Sequence, residues 1–332
     1  MSKDLNDKAV AGELPADLAD GAKPIAADVP RVLTVKELIR GAQRRSSSKF
    51  GGMGCPTGNF EIDNVTGGLK PGFVWVFGAD TSWGKSSFLI MLADECIKKS
   101  KRVLIVSAED SEQIYGDRLL LRRSRISADN LRRRRLTDEE HEKVADALKG
   151  AEDVPVFLDA RGRGVEWICN QVKRLIKEHN IDVVAYDYLQ AFDNEKPQQD
   201  RRNQVTYIAR VLTDSVKTSG VSGIIFSQIT VQEGKSHPDK HSIRESRDVS
   251  NAAEVVMLGF TPEKPVMKAG KQVADPGQKC VLVDKCKDGP RGGIFVLDWD
   301  TGSACFNTRV DPEQERLERE AAQWSDFGED AQ

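Results

Sequence analysis

The sequence lacks the features that mark several large classes of protein. Its six cysteines include no C-x-x-C pair, which excludes a zinc ribbon and argues against a disulfide scaffold. No apolar run reaches the roughly 18 residues that a membrane-spanning helix needs, so no membrane partner is predicted. The first residues contain no apolar signal core, and we therefore expect a protein of the reducing cytoplasm. Aromatic residues, at 6%, are also scarce.

Charge is distributed unevenly along the 332 residues. Residues 1–29 carry a net charge of −3 and residues 310–332 one of −6, which leaves +6 for the residues between them. A mildly basic body is compatible with a nucleic-acid partner, although ordinary solvated charge explains such a balance equally simply. We interpret the chain as follows: 1–30, a disordered acidic tail; 31–50, a linker with a short amphipathic helix; 51–309, the folded domain; 310–332, an acidic C-terminal tail.

Short apolar runs alternate with longer helical stretches over the folded domain. Strands separated by helices predict parallel pairing, in a sheet that helices cover on both faces. Near the C-terminus two strands flank the turn DGPRG, which predicts an antiparallel hairpin at the sheet edge. The fold class is therefore α/β. The strands are expected at 73–78, 102–107, 154–159, 182–187, 222–227, 254–260, 279–286 and 292–299, and the main helices at 84–99, 111–123, 137–149, 165–179 and 203–219.

A phosphate-binding loop follows the first strand. The segment from Ala79 reads A-x4-G-K-S, which departs from the usual pattern only in its first residue. A loop between a strand and a helix points backbone N–H groups and a helix N-terminus at phosphates, and its lysine reaches the β- and γ-phosphates. A glycine turn that merely caps a helix is the ordinary alternative. The nucleotide-binding residues expected here are Ala79, Asp80, Thr81, Ser82, Trp83, Gly84, Lys85, Ser86 and Ser87.

Two carboxylates follow neighbouring strands at the same predicted edge of the sheet. Asp187 ends the buried strand DVVAYD, where a carboxylate can support Mg²⁺ together with the Ser86 hydroxyl. Glu109 follows RVLIVS, and ligands of open parallel sheets bind beyond these carboxyl ends. Glu109 could therefore polarise a water that attacks the γ-phosphate. A helix first-turn acid is the alternative interpretation of Glu109.

These segments, in this order, resemble the RecA-like motor domain of DnaB-type replicative helicases. The resemblance runs from about Pro56 to about Asn307. It implies a RecA-like P-loop ATPase that uses ATP and Mg²⁺ and acts as a hexameric ring on single-stranded DNA, in a bacterial or phage-infected cytoplasm. The segments that carry it are PTGNFEIDNVTGGLKPG (56–72), SAEDSEQ (107–113), YDYLQ (186–190), FSQ (226–228), IRES (243–246) and KCKDGPRGG (285–293).

The resemblance also implies roles for single residues. Glu109 would activate water, Asp187 would support the metal, and Gln228 would sense the γ-phosphate. In such rings a basic pair on the edge hairpin completes the neighbour's site, and here that pair is Lys285 and Lys287. The family usually has arginine at the second position, so hydrolysis could be slower, or Arg291 could substitute. Simple solvation of lysines on an edge strand is the alternative.

Two basic loops are expected to line the central channel of the ring. They span 193–204 and 230–246 and contain no aromatic residues, so contacts to the DNA backbone rather than base stacking would dominate. In the family the residue after RES is normally glycine, and here it is arginine. Two solvated loops are the alternative. The expected DNA-binding residues are Arg201, Arg202, Lys235, Arg244, Glu245 and Arg247.

Other features leave the function open in part. Eight arginines lie within 118–135, where they could bind DNA, the acidic tails or a partner, or simply form a solvated helix face. The helical collar domain expected of the family is missing, which suggests a phage- or plasmid-type helicase with a separate loader or primase partner. The competing hypothesis is a nucleotide-gated assembly or adaptor ATPase, similar to RadA, KaiC or a helicase paralogue, that does not unwind DNA.

Overall fold

The computed structural model describes residues 54–149, 156–194, 200–229 and 247–313, with isolated positions at 34–36, 39, 40, 151, 238, 242 and 316. The chain divides into two units, residues 1–51 and 52–332. In the first unit the backbone is helical at residues 35, 36, 39 and 40, within the predicted linker helix. In the described part of the chain, no helix is both long and apolar enough to cross a bilayer.

The second unit alternates strands and helices through most of its length. Its helices are α1 (Phe60–Thr66), α2 (Lys85–Lys98), α3 (Glu112–Ser124), α4 (Ala128–Arg132), α5 (Asp138–Lys149), α6 (Val165–His179), α7 (Arg201–Ser219) and α8 (Arg247–Ala252). Its strands are β1 (Val74–Ala79), β2 (Val103–Ser107), β3 (Phe157–Asp159), β4 (Val183–Asp187), β5 (Ser222–Gln228), β6 (Val255–Phe260), β7 (Val266–Lys268), β8 (Lys271–Ala274), β9 (Lys279–Cys286), β10 (Gly293–Leu297), β11 (Trp299–Asp300) and β12 (Cys305–Phe306).

Eight strands form one mixed sheet in the order β10-β9-β6-β1-β5-β4-β2-β3. The six strands from β6 to β3 are parallel to their neighbours. Strand β9 pairs antiparallel with β6, and β10 pairs antiparallel with β9. The predicted α/β class and the antiparallel edge hairpin are both confirmed.

Both faces of the sheet are buried. Along β1, Val74 and Val76 enter one hydrophobic cluster, while Trp75 and Phe77 enter the other. Successive side chains of a strand point to opposite faces, so a strand covered on both sides must be apolar throughout. This is why the central strands appear in the sequence as uninterrupted apolar runs.

The strand register brings the predicted site residues to one edge of the sheet. Ala79, at the end of β1, is aligned with Gln228 at the end of β5. Ser107, at the end of β2, is aligned with Asp187 at the end of β4. Because these four strands are parallel, their carboxyl ends meet at the same edge. The loop before α2 and the turn before α3 both open there.

Candidate nucleotide-binding site

The phosphate loop connects β1 to α2 through a left-handed glycine. Gly84 has a φ of 105° at the N-cap of α2, a conformation that side chains other than glycine rarely adopt. Asp80 accepts a hydrogen bond from the N–H of Thr81 at 2.7 Å and so stabilises the turn. Lys85, Ser86 and Ser87 form the first turn of α2, as the motif predicts.

Trp83 anchors this loop to the hydrophobic core instead of lining the cavity. Its indole N–H donates to the Phe260 carbonyl at 3.0 Å, and its ring packs 5.2 Å from Phe77 and 5.1 Å from Phe306. A Cβ at Gly259 would lie 2.8 Å from this ring, so glycine is needed opposite it. The expectation that Trp83 belongs to the nucleotide-binding loop holds for its backbone position, while its side chain points away.

Lys85 is a buried cation at the base of the site. Its Nζ donates to the Ala79 carbonyl at 3.3 Å and lies 5.4 Å from the centre of the Tyr188 ring. Burial lowers the pKa of Lys85, while the carboxylates of Asp187 and Glu109 act in the opposite direction. An ammonium that is poorly solvated and faces carboxylates is suited to an anionic ligand such as a phosphate chain.

Asp187 joins the phosphate helix to the helix after β2. Its Oδ2 accepts from Ser86 Oγ at 3.2 Å and also from the Tyr115 hydroxyl. Burial raises the pKa of Asp187, and the hydrogen bonds from Tyr115 and Ser86 partly offset this rise. The peptide bond that follows, to Tyr188, is cis. Tyr115 is part of the site that the sequence analysis missed, because a single tyrosine in a helical pattern carries no motif.

A cavity of about 230 Å³ gathers the predicted residues. Glu109 and Gln228 face it from opposite strand ends, and Lys85 and Ser86 form its floor. Burial raises the pKa of Glu109, as do the neighbouring charges of Asp110 and Asp187. Such a shift brings a carboxylate closer to the range useful for proton transfer near neutral pH. The cavity is lined by Thr81, Gly84, Lys85, Ser86, Ser87, Glu109, Asp110, Arg118, Tyr188 and Gln228.

Gln190 connects this cavity to the start of α7. Its side-chain amide donates to Ser227 Oγ at 3.0 Å, and its Oε1 accepts from the Gln228 N–H at 3.1 Å. Its carbonyl accepts from the guanidinium of Arg201, the first residue of α7. Gln190 lies within the YDYLQ segment, but the sequence does not indicate this bridging role.

The predicted DNA-binding residues are only partly visible. Arg201 is bonded to Gln190, and the backbone N–H of Arg202 donates to Asp200 Oδ1 at 3.1 Å while its side chain is exposed. Arg247 begins α8. Lys235, Arg244 and Glu245 lie outside the described residues.

The basic pair of the edge hairpin lies away from this chain's own cavity. Lys285 donates through Nζ to the carbonyls of Ser250 and Asn251, at 3.0 and 2.9 Å, at the end of α8. Burial lowers its pKa. Lys287 and Arg291 are exposed. Neither of the two predicted lysines lines the cavity of its own subunit.

The arginine-rich segment divides into two parts with different surroundings. Arg122 is 3% exposed and bonds Asp94 Oδ2 at 2.9 Å, Glu95 Oε1 at 2.6 Å and the Phe306 carbonyl at 2.7 Å. Arg132 and Arg133 pair with the exposed Asp129. The first part of the segment is therefore structural, and only the second part has the solvated character considered in the sequence analysis.

The oxygen atoms at the cavity suit Mg²⁺. No group of three or more histidine, cysteine, aspartate or glutamate side chains in the described ranges is arranged to hold a metal ion alone. Ser86 and Asp187 offer neighbouring hydroxyl and carboxylate oxygens, and Mg²⁺ commonly takes one or two protein oxygens together with phosphates and water. The donor set therefore fits a metal that arrives with a nucleotide.

Comparison with known proteins gives a consistent result. The family model of the DnaB-like helicase C-terminal domain matches residues 54–308. The chain is 27% identical to the replicative DNA helicase DnaC of Bacillus subtilis and 29% identical to the replicative DNA helicase DnaB of Geobacillus stearothermophilus. Each match covers 74% of this chain and 56% of the relative. The chain thus spans about half the length of these curated relatives.

Two solved structures share the fold at 22% identity. The ATPase domain of a phage-type helicase has a TM-score of 0.74, and the match covers 85% of this chain and 100% of that domain. A DnaB-like replicative helicase, solved in a study of its interactions with primase, has a TM-score of 0.71, with 92% of this chain and 71% of that chain covered. The predicted RecA-like fold is confirmed.

Proposed function

Because this chain belongs to the DnaB-like helicase C-terminal domain family, we propose that it is the ATP-driven motor of a DNA helicase that acts as a ring on single-stranded DNA during replication. The two curated relatives named above are replicative helicases of bacteria, which supports placing this activity in the cytoplasm of a bacterial or phage-infected cell.

One observation carries the proposal. Lys85, Ser86, Glu109 and Gln228, from separate parts of the sequence, line one cavity, and Asp187 is bonded to Ser86 beside it. A glycine turn that only capped a helix would not require these residues to converge. The arrangement supports hydrolysis of a nucleoside triphosphate, and ATP is the nucleotide that we propose.

Each residue of the cavity has a distinct role in this proposal. Lys85 binds the β- and γ-phosphates, and backbone N–H groups of residues 79–84 surround them. Ser86 and Asp187 would hold Mg²⁺, which stabilises the negative charge that develops on the phosphates. Glu109 orients and deprotonates the attacking water. Gln228 lies beside the γ-phosphate position and reports its presence through Gln190 to Arg201.

The active assembly in this proposal is a hexamer. Lys287 and Arg291 are exposed on the edge hairpin and lie outside this chain's own cavity, as expected of residues that complete a neighbour's site. DNA would pass through the centre of the ring, against the loops that follow β4 and β5 and residues Arg202, Lys235, Arg244, Glu245 and Arg247. Contact to a loader or primase would come from other surfaces.

The first test is ATP hydrolysis with and without single-stranded DNA at low salt, where contacts to the DNA backbone are strongest. We expect DNA to stimulate turnover of the wild-type protein. We expect Glu109→Gln to lower turnover by about 10²-fold or more, the usual contribution of a general base, while nucleotide binding is retained. Lys85→Ala should lose nucleotide binding itself. Tyr207→Phe, on α7 away from the cavity, is the control.

The outcomes separate the competing functions. Stimulated turnover together with unwinding of a forked DNA supports the motor. Slow turnover that DNA does not change, with assembly lost in Lys85→Ala, would instead favour the adaptor ATPase. Normal hydrolysis by Glu109→Gln would show that Glu109 is not the base.

A further inference from the structure

Tyr115 reaches the same carboxylate oxygen as the proposed metal ligand Ser86. Its hydroxyl donates to Asp187 Oδ2, which also accepts from Ser86 Oγ at 3.2 Å. The side chain comes from α3 and is 4% exposed. Neither hydrogen bond uses Oδ1 of Asp187. The carboxylate is thus fixed through one oxygen, and the other is left for the nucleotide side of the site.

The ring of Tyr115 is fixed from two sides. It packs against Phe157 with a centroid distance of 5.2 Å, and the guanidinium of Arg118 lies 6.0 Å from its centre. Arg118 in turn donates to Asp110 Oδ2 at 2.8 Å, next to Glu109. These contacts leave the hydroxyl few positions other than the one toward Asp187.

The helix that carries Tyr115 is itself bound to the phosphate helix. Tyr115, Arg118 and Arg122 are spaced three and four residues apart and therefore share one face of α3. Arg122 bonds Asp94 and Glu95, both on α2. One face of α3 thus contacts carboxylates on three parts of the site: β4, the turn after β2, and α2. A shift of this helix would move all three together.

We propose that Tyr115 is a positioning residue that fixes the orientation of Asp187 for the metal–nucleotide complex, an inference that rests on the function proposed above. Carboxylates that serve a metal are held in place by hydrogen bonds from outside the coordination sphere, and loss of such a bond typically weakens metal binding. Tyr115 supplies this bond across the sheet edge, from α3 to the end of β4.

Tyr115→Phe removes the hydroxyl and keeps the ring. The metal is measured directly, with Mn²⁺ as the probe, by electron paramagnetic resonance titration in the presence of a non-hydrolysable ATP analogue. We expect the Mn²⁺ dissociation constant to rise about 10-fold. Binding of the analogue without metal should be unchanged. In steady-state assays the Mg²⁺ concentration for half-maximal turnover should rise more than the KM for ATP.

Tyr207→Phe is the matched control, because Tyr207 also donates to a carboxylate, Glu166 Oε1 at 2.9 Å, but far from the cavity. It should leave Mn²⁺ binding unchanged. Both variants are compared by thermal melting without metal, and titrations are run below both transitions, so that only folded protein is measured.

The result distinguishes this inference from the proposed function. If wild type binds Mn²⁺ with the analogue and Tyr115→Phe binds it equally well, the inference is overturned and the proposed function stands. If wild type binds no Mn²⁺ with the analogue, the proposed function fails first. Equal weakening by Tyr207→Phe would show a general loss of stability and would also overturn the inference.

Discussion

Asp63, on α1, is a buried carboxyl group that lies outside the nucleotide site. Its two oxygens accept from the backbone N–H of Thr57 at 3.0 and 3.2 Å. Burial raises the pKa of Asp63 to about 7, although the hydrogen bonds from Thr57 act against this rise. A carboxyl group in this state binds its proton through most of the acidic range, and folding therefore depends on pH.

The sign of this dependence follows from the difference between the folded and unfolded states. The folded-state pKa of about 7 lies above the ordinary value of 3.8, so between these values the folded protein holds a proton that the unfolded chain releases. Stability contributed by Asp63 is therefore lost as the pH rises from about 4 to about 7. Above this window the loss is complete and the contribution no longer changes.

Asp63→Asn should remove this pH dependence. Relative to the variant, the wild-type free energy of unfolding in urea should increase by about 2–3 kcal/mol from pH 8 to pH 5, since each pKa unit corresponds to about 1.4 kcal/mol. The exposed Asp146→Asn serves as the control. Parallel pH profiles of wild type and Asp63→Asn would contradict the prediction.

At the scale of elements, α2 and α3 are joined by a buried ion-pair network. Arg122 and Arg123 both bond Asp94, which is fully buried, and Arg122 also bonds Glu95. Although burial alone would raise the pKa of Asp94, the hydrogen bond and charge of Lys98 and the charge of Arg122 lower it. The network keeps the helix of the phosphate loop in register with the helix of Tyr115.

Arg122→Ala should destabilise the domain far more than the loss of an exposed arginine. Removing one partner of a buried pair costs about 3–5 kcal/mol, because a buried charge loses its compensation. Arg133→Ala, which breaks an exposed pair with Asp129, should cost at most about 1 kcal/mol. Urea unfolding of both variants measures the difference. Equal effects would show that the Arg122 network does not hold the two helices together.

The same elements show how much the sequence could predict. The strand ends with Asp187 and Gln228 were predictable because buried parallel strands are apolar throughout, and polar residues mark where they leave the core. The pairing of Arg122 with Asp94 was not, because it depends on how two helices are rotated against each other. The short hairpins β7–β8 and β11–β12 were missed, since two to four residues are too few to establish an alternating pattern.

The site shows the same division. The phosphate loop, Glu109 and Asp187 follow from local motifs and from strand register. Tyr115 contacts Asp187 across 72 positions of sequence, and Gln190 contacts Ser227 across 37. Neither contact leaves a local signal, so both required the folded structure. The roles of Lys235, Arg244 and Glu245 stay predictions.

At the scale of the whole molecule, the exposed lysine of the edge hairpin tests the ring. In the proposed hexamer Lys287 faces the neighbour's nucleotide, where an arginine would present a planar, delocalised charge. We expect Lys287→Arg to raise DNA-stimulated ATP turnover several-fold and Lys287→Ala to lower it, since a trans arginine can contribute about 10³–10⁵ in rate. Lys271→Arg, on the exposed β8, is the control.

Complementation extends this test to the assembly. Lys287→Ala subunits mixed with Glu109→Gln subunits should recover part of the turnover, because some interfaces then combine an intact Glu109 with an intact Lys287. No response to any change at Lys287, in pure or mixed rings, would contradict its placement at the neighbour's site.

The aromatic packing beneath the phosphate loop has a spectroscopic consequence. The Trp83 indole directly precedes Gly84, and a Cβ placed on Gly84 would lie 3.6 Å from the Trp299 ring. Two of the five tryptophans therefore sit within contact distance of the loop that would close on a phosphate chain. Ultraviolet emission from the unlabelled protein is consequently weighted toward this loop. Stopped-flow fluorescence can follow ligand arrival at the natural sequence, without a dye attached to either partner.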